Sequence, residues 1–262
     1  MTSTRAFLDF AMDAAWQAGR LALGHFQVGI AAEKKADLSP VTAADRGAEE
    51  LLRRLIGQRF PDHAILGEEM GTADKDSAYR WILDPIDGTR SFVRGVPLWG
   101  VLVGLEVSGE MVVGVANFPA LGEMVAAAAG EGCRWNGRPA RVSPVSRIEE
   151  ALVVFSDPRT LNERLPHAWP RFLGLSELQR GWSDCYAHCL VATGRAEIAL
   201  DPIMSPWDCA ALLPILREAG GTFGDFTGRA TIDGGNALST NDRLLEAALE
   251  ILRLDVPAPA ST

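Results

Sequence analysis

The chain has 262 residues, a mass of 28.2 kDa and a formal net charge of -9 at pH 7. This acidic balance, without any Lys/Arg-rich run, argues against a nucleic-acid partner, because such partners are bound through positive charges against phosphate groups. With 47% hydrophobic residues, the chain is long enough for one large domain or two smaller ones with a substantial core.

Neither a membrane span nor a signal peptide is expected. No segment approaches the roughly 18 consecutive apolar residues that a membrane helix needs, and the first residues lack the apolar region of a signal peptide. We therefore predict a cytoplasmic protein. The four cysteines, Cys133, Cys185, Cys189 and Cys209, contain no CxxC pair. We interpret them as reduced core residues, with disulfides or a zinc site as alternatives.

The N-terminal segment predicts two helices. Apolar side chains recur at steps of three and four residues over residues 3–30, which indicates the first helix. Residues 31–42 are predicted to form an extended link. Thr42 is the expected N-cap of a second helix that passes through Ile56, with Asp45 in its first turn. By spacing alone, Asp45 fits an acid that interacts favourably with the helix dipole.

Two apolar segments then end directly in acidic residues. Ala64–Gly67 is a predicted strand followed by Glu68, and Trp81–Leu83 is a predicted strand followed by Asp84 and Asp87. Two carboxylates this close repel each other unless a proton or a divalent cation lies between them. This segment is therefore a candidate metal site.

The residues between and after these two acids favour a turn. Pro85 lacks a backbone N–H and is expected to end regular strand pairing, while Gly88 allows a tight turn. The strand therefore brings its acids to the start of a loop.

Further strands follow in both halves of the chain. Val101–Val107 and Met111–Phe118 predict a hairpin, and Met124–Ala129 with Gly132–Trp135 predict another strand pair, so the first half carries an antiparallel sheet. From about residue 145 helices and strands alternate: a strand at Ala151–Phe155, helical segments within Arg159–Phe172, a helix at Asp184–Thr193, a strand at Ile198–Leu200 and a helix at Trp207–Ala219. This pattern predicts an α/β (α+β) protein with subdomains at 1–145 and 146–262.

Four acids share one type of position. Glu68, Asp84, Asp87 and Asp208 each follow an apolar strand or begin a helix, next to Gly or Pro. Several carboxylates without His or Cys favour Mg²⁺ over zinc, and Mg²⁺ held by acids most often acts on phosphate groups.

In these motifs the chain resembles the inositol monophosphatase superfamily of Mg²⁺-dependent, lithium-sensitive phosphatases. The similarity lies in Ser39–Asp45, Gly67–Glu69, Trp81–Thr89, Trp207–Ala211 and Glu218–Gly221. The resemblance implies an αβαβα layered sandwich, with an antiparallel sheet in the first half and a mixed sheet in the second. It also implies a homodimer and inhibition by Li⁺.

The resemblance assigns metal ligands to five positions. It implies that Glu68, Asp84 and the Ile86 carbonyl hold one Mg²⁺, that Asp84, Asp87 and Asp208 hold a second, and that Glu68 helps to hold a third. Two or more metal ions suit phosphate ester hydrolysis, because they neutralise charge on both the attacking and the leaving oxygen.

The resemblance also assigns catalytic roles to Thr89 and Asp45. These two residues would orient and deprotonate the water that attacks phosphorus in line with the leaving alkoxide, with Glu68 contributing through the metal. Backbone N–H groups of Gly88 and Thr89, where a helix should begin, would hold phosphate oxygens. On this interpretation Asp45 is more than a helix-dipole acid.

The resemblance implies that the substrate is a small phosphate monoester. Which monoester the protein prefers is predicted to depend on Asp201 and Asp184. Asp201 lies seven residues before Asp208, where inositol phosphatases carry an acid that meets substrate hydroxyls. The run Asp184-Cys185-Tyr186 resembles the histidinol-phosphate phosphatases of the superfamily. Histidinol phosphate carries an ammonium and an imidazole, which two acids would complement by charge-assisted hydrogen bonds.

Three alternatives remain open from the sequence. The substrate could be inositol-1-phosphate or another sugar phosphate or nucleotide. Asp184 could simply cap the helix that starts there. A non-enzymatic metal-binding protein is a third reading, but it should have lost one of the predicted site residues, and none is missing.

Overall fold

The computed structural model describes residues 3–28, 33–34, 40–41 and 43–257, with backbone only for 33–34 and 40–41. The described helices are α1 (Thr4–Leu23), α2 (Ala43–Arg59), α3 (Thr89–Val93), α4 (Pro158–Arg164), α5 (Ala168–Leu175), α6 (Asp184–Ala192), α7 (Pro206–Ala210), α8 (Leu212–Glu218) and α9 (Leu245–Leu252), with a 3₁₀ turn at Ile148–Glu150. The described strands are β1 (Glu33–Lys34), β2 (Pro40–Val41), β3 (Ala64–Gly67), β4 (Gly71–Ala73), β5 (Tyr79–Asp87), β6 (Gly100–Val107), β7 (Glu110–Phe118), β8 (Glu123–Ala128), β9 (Gly132–Trp135), β10 (Arg138–Pro139), β11 (Leu152–Phe155), β12 (Leu178–Arg180), β13 (Ile198–Asp201), β14 (Thr222–Gly224) and β15 (Ala237–Thr240).

The first large sheet has the strand order β10-β9-β8-β7-β6-β5-β3-β4. Its neighbouring strands are antiparallel except for β3 and β5, which run parallel. The predicted antiparallel sheet of the first half is thus present, with this parallel pair as an exception. The chain reverses into β4 after β3 and reverses again before β5, so β5 returns to the side of β3 in the same direction.

The second large sheet is mixed, as predicted, with the order β12-β11-β13-β15-β14. Strand β11 is parallel to both β12 and β13, while β15 is antiparallel to β13 and β14. Because parallel strands end at the same edge of a sheet, the loops after β11 and β13 lie side by side.

The helices and sheets form five layers. Alternate residues along β5 face opposite sides, so Trp81 and Leu83 pack against α1 and α2, whereas Ile82 packs with α6 and α8. On the second sheet, Val154 faces this same central helix layer and Val153 faces α4, α5 and α9. The resulting order is α1 and α2, first sheet, α6 to α8, second sheet, then α4, α5 and α9. The αβαβα arrangement is therefore confirmed.

The central layer joins the two halves of the chain. Its hydrophobic cluster includes Leu102 and Phe118 from the first sheet together with Leu190 and Ile215 from the helices and Ala199 from the second sheet. The division into subdomains at residue 145 stays a prediction.

Two predicted helices differ from the expectation: one is shorter, and the other is divided into two. Helix α1 stops at Leu23 and is followed by Gly24, where helical backbone is less stable than at other residues. The predicted helix Trp207–Ala219 is two helices, α7 and α8, because Pro214 has no N–H to donate to the Ala210 carbonyl. The remaining parts of the predicted link at 31–42, including Thr42, lie outside the described residues apart from the paired backbone of β1 and β2.

Other local predictions agree with the structure. The hairpin between β6 and β7 turns at Ser108 and Gly109, both with positive φ. Strand β5 extends to Asp87, but its register with β6 shifts between Asp84 and Asp87, around Pro85. All four cysteines are free and buried. No described helix is long and apolar enough to cross a membrane.

We expect the packing of β7 on the central helix layer to be sensitive to a single methyl group at Gly114. An added Cβ there would overlap with the Ala211 carbonyl oxygen and lie 2.8 Å from Cγ of Pro214. Gly114→Ala should therefore lower the free energy of unfolding by about 2–3 kcal/mol in urea denaturation.

Gly57→Ala is the matched control. Gly57 lies in the exposed part of α2, and a Cβ there meets no heavy atom within 4 Å. The control should raise the free energy of unfolding by about 0.5–1 kcal/mol, because alanine favours the helix. Equal stabilities of Gly114→Ala and wild type would show that α8 can shift away without loss.

Candidate active site

The parallel pairing of β3 and β5 brings two acidic strand ends together. Gly67 is in register with Leu83, and the backbone N–H of Glu68 donates to the Leu83 carbonyl at 3.2 Å. Glu68 and Asp84 therefore follow neighbouring strands at the same edge. The sequence places each acid after a strand, and the sheet topology makes them neighbours.

A buried acid of α2, Glu49, holds the turn that carries Glu68. Its carboxylate accepts hydrogen bonds from the backbone N–H groups of Glu69 at 2.7 Å and Met70 at 3.1 Å, and from Arg53 Nε at 2.7 Å. Glu49 is absent from the predicted site. A signal was present, since Glu49 lies next to Ala48 and three residues before Leu52 on the buried face of α2, where an acid is unusual.

Three carboxylates form a compact cluster. Oxygens of Asp84, Asp87 and Asp208 all lie within 4.8 Å of one another. Asp84 Oδ1 accepts the backbone N–H of Ile86 at 3.0 Å, and Asp208 Oδ2 accepts that of Ser205 at 2.7 Å, at the start of α7. These local bonds hold both side chains in place.

Burial and the charges of nearby acids raise the pKa of each carboxyl in the cluster. Loss of solvent is the first cause for Asp84, and the charges of Glu68, Asp87 and Asp208 raise its pKa further. Burial likewise raises the pKa of Asp208 to about 6. The pKa of Asp87 is also well above its usual value, chiefly through burial and then through the charges of Asp184 and Asp208. The cluster thus binds protons more tightly than exposed carboxyls do.

This cluster fits a hard divalent cation. A cation with oxygen ligands would relieve the same repulsion that protons relieve, and a set of carboxylates without His or Cys matches the ligand preference of Mg²⁺. Glu68 lies outside the group of three, but its charge reaches both Asp84 and Asp208. It is therefore placed to share a cation with them.

Hydrogen bonds to a second segment hold Asp87. Its Oδ2 accepts the backbone N–H of Cys185 at 2.5 Å, from the first turn of α6. Asp184, the residue before Cys185, has φ of +58°, a left-handed conformation that Asp tolerates better than most residues. Nothing in the sequence pattern predicts this contact, since Asp87 and Cys185 are 98 positions apart.

The turn after Asp87 starts the short helix α3. Gly88 has φ of +83°, and an added Cβ there would lie 2.9 Å from the Leu98 carbonyl oxygen and 3.1 Å from Asp184 Oδ2. Glycine is therefore required by both conformation and space. Thr89 Oγ1 donates to the Ile86 carbonyl at 3.0 Å. Asp45 is buried in the first turn of α2; its pairing with Thr89 stays a prediction.

A pocket of about 370 Å³ adjoins the cluster. It is lined by Gly88, Thr89, Arg90, Ser91, Ser156, Asp157, Ser183, Asp184, Asp201, Pro202, Ile203 and Asp208. The structure thus brings the two predicted specificity acids, Asp184 and Asp201, into one pocket with Thr89 and Asp208. The sequence-based prediction missed the lining residues Arg90, Ser156 and Asp157.

The two specificity acids are held differently. Asp201 Oδ1 accepts the backbone N–H of Ile203 at 3.1 Å, and burial raises its pKa to about 7. Burial also raises the pKa of Asp184, whose Oδ2 accepts the Ser183 hydroxyl at 3.0 Å. The N-cap position of α6 belongs to Ser183, so Asp184 is not the N-cap that one alternative required.

Tyr186 and His188, which follow on α6, belong to the interior. The Tyr186 ring packs edge-on against Phe118 at 5.1 Å between centroids. His188 is fully buried with Nδ1 2.7 Å from Ser239 Oγ, and burial lowers its pKa to about 3. Neither residue lines the pocket.

The raised pKa values predict how stability changes with pH when metal is chelated. A folded state that holds carboxyl protons more tightly than the unfolded chain loses stability as pH rises above about 4. Between pH 5 and pH 8 in EDTA, wild type should lose about 2–3 kcal/mol more unfolding free energy than Asp201→Asn, which lacks one such group. Urea denaturation at each pH measures this, and parallel curves would contradict it.

Several proteins that are similar to this chain are named as phosphatases. Residues 3–254 match the model of the inositol monophosphatase family. A histidinol-phosphatase of Chlorobaculum parvum is 47% identical over 90% of this chain and 93% of its own length. A histidinol-phosphatase of Mycobacterium tuberculosis is 40% identical over 83% of this chain and 86% of its own.

A solved structure with the same fold is the inositol monophosphatase of Anabaena (Nostoc) sp. PCC 7120. It superposes with a TM-score of 0.84, at 30% identity over 98% of both chains. The family match spans nearly the whole chain, including every pocket residue. The protein is a phosphoric monoester hydrolase and belongs to the inositol monophosphatase family.

Proposed function

We propose that the protein is a Mg²⁺-dependent phosphatase that converts L-histidinol phosphate to L-histidinol and phosphate in histidine biosynthesis. The observation that carries this proposal is the joining of Asp184 and Asp201 with Thr89 and Asp208 in one pocket beside the carboxylate cluster. The similarity to two histidinol-phosphatases supports the same substrate.

The metal would be held by the acidic strand ends. Asp84, Asp87 and Asp208 supply a compact set of oxygens, and the charge of Glu68 reaches Asp84. Glu68 and the Ile86 carbonyl are proposed as further ligands. When bound, Mg²⁺ neutralises phosphate charge and lowers the pKa of water. Two or three ions per subunit are proposed, with Li⁺ as an inhibitor.

The residues of the chain would position the phosphate group and accept the proton of the attacking water. Gly88 and Thr89 begin α3, so their backbone N–H groups are proposed to hold phosphate oxygens. The Thr89 hydroxyl and the buried carboxylate of Asp45 are proposed to orient the attacking water and accept its proton. The Cys185 N–H holds Asp87 so that the cluster keeps its shape during turnover.

Substrate selection would depend on charge. Histidinol phosphate brings an ammonium and an imidazole that can be protonated, and Asp184 and Asp201 both line the pocket that would hold them. A bound cation would favour the ionised form of Asp201, which is otherwise partly protonated near pH 7. A neutral polyol gains less from two acids.

Inositol-1-phosphate is the second candidate, followed by other sugar phosphates and nucleotides. A partly protonated Asp201 can both donate to and accept from hydroxyl groups, and the Anabaena inositol monophosphatase shares the fold. A non-enzymatic role is not favoured, because each predicted metal and catalytic residue is present. We also propose a homodimer in the cytoplasm, with neither nucleic acid nor membrane as partner.

A substrate panel tests the function. Phosphate release with Mg²⁺ should show a kcat/KM for L-histidinol phosphate at least about tenfold above that for inositol-1-phosphate, because only the former pairs its cations with the pocket acids. A higher value for inositol-1-phosphate would make the second candidate the function.

The metal site is tested by binding, independently of turnover. Mg²⁺ should raise the Tm of the wild type, while Asp87→Asn should lose most of this shift, because the variant weakens the cluster. Isothermal titration with Mg²⁺ should show the same loss. Asp62→Asn, an exposed acid elsewhere on the chain, is the control. An unchanged Mg²⁺ shift in Asp87→Asn would remove Asp87 from the ligand set.

A further inference from the structure

We propose that Asp157 is a further specificity-determining residue, which presents a third carboxylate to the alcohol part of the substrate and faces Arg90 across the pocket. This inference rests on the proposed function, since it concerns which phosphate esters the same pocket prefers. Neither residue was among the predicted site residues, and each lines the pocket with Asp184 and Asp201.

Sheet topology places Asp157 beside Asp201. Strands β11 and β13 are parallel, with Phe155 in register with Leu200, so the residues after them leave the same edge of the sheet. The backbone N–H of Ser156 donates to the Leu200 carbonyl at 3.4 Å, and the Ser156 side chain acts to lower the pKa of Asp201 against the larger rise that burial causes. Asp157 therefore directly follows Ser156, a residue that lies beside Asp201.

The Asp157 carboxylate is fixed and ionised. Its Oδ1 accepts backbone N–H groups of Arg159 at 2.9 Å and Thr160 at 3.4 Å, and its Oδ2 accepts the Thr160 hydroxyl at 2.8 Å. These hydrogen bonds, led by that of Thr160, lower its pKa. A carboxylate has about four acceptor positions, so one remains for a ligand.

Arg90 supplies the opposing charge. It follows Thr89 in α3, and its positive charge acts through space on both Asp157 and Asp184. It adds to the hydrogen bonds that lower the pKa of Asp157, and it opposes the larger rise that burial causes in the pKa of Asp184. Besides Asp208 of the carboxylate cluster, the pocket therefore carries three carboxylates and one guanidinium among its lining residues. A substrate with its own ammonium or imidazolium can share these carboxylates with Arg90, whereas a neutral alcohol offers them no charge.

The alternative is a purely structural role, in which Asp157 only caps α4. Asp157→Asn separates the two roles, because Asn and Asp are equally good N-caps while only Asp is charged. The measurement is kcat/KM for two pairs of esters: L-histidinol phosphate with inositol-1-phosphate, and phosphoethanolamine with glycerol phosphate. The preference is the kcat/KM of the cationic ester, L-histidinol phosphate or phosphoethanolamine, divided by that of its neutral partner. In both pairs this ratio should fall about five- to tenfold in Asp157→Asn.

Asp255→Asn is the matched control. Asp255 also accepts backbone N–H groups at a helix start, from His167 at 2.9 Å and Ala168 at 2.7 Å, and it does not line the pocket. The Asp255→Asn variant should prefer cationic esters as strongly as the wild type does. Arg90→Gln should strengthen this preference, because it removes the cation that shares the carboxylates.

Each outcome decides the proposal. Unchanged preferences in Asp157→Asn, or equal losses on both members of a pair together with a lower Tm, would leave Asp157 as a cap and overturn the inference. If Arg90→Gln lowers kcat/KM equally for all esters, Arg90 binds the phosphate group. That result would overturn the proposal that Arg90 shares the pocket carboxylates with the substrate. If wild type prefers inositol-1-phosphate but Asp157→Asn still lowers the preference for phosphoethanolamine, the inference stands while the substrate assignment fails.

Discussion

Repulsion among buried carboxylates is the constraint on which the site depends. Asp84, Asp87 and Asp208 come from β5 and α7, and burial with the charges of nearby acids raises the pKa of all three. Holding them together costs free energy that the surrounding hydrogen bonds and core must offset, unless a cation supplies the missing positive charge. The chemistry of the cluster is thus suited to a divalent cation.

The scaffold acts through hydrogen bonds from distant segments. Glu49 of α2 fixes the turn that carries Glu68, and the backbone of Cys185 in α6 holds Asp87. The second contact links the cluster to the pocket, because Asp184 is adjacent to Cys185 and lines the pocket. A shift of α6 would therefore disturb the pocket lining and the carboxylate cluster together.

The pocket draws its lining from two kinds of segment. The start of α3 and Asp208 adjoin the carboxylate cluster, while the other lining residues come from the loops after β11 and β13 and the start of α6. Loops at the ends of parallel strands can change their side chains with little effect on the sheet beneath. Proteins with one fold can in this way differ in substrate.

The sequence by itself determined the local features. Alternation around Trp81, Ile82 and Leu83, the acids after β3 and β5, and the turn at Gly88 follow from side-chain type and short-range backbone chemistry, and the family motifs supplied the fold. Only the tertiary structure decided which segments meet. The parallel pairing of β3 with β5, the buried Glu49 under the Glu68 turn, and the meeting of Asp157, Arg90 and Asp201 join residues far apart in the chain. Spacing along a chain does not specify such contacts, because they depend on how the layers pack.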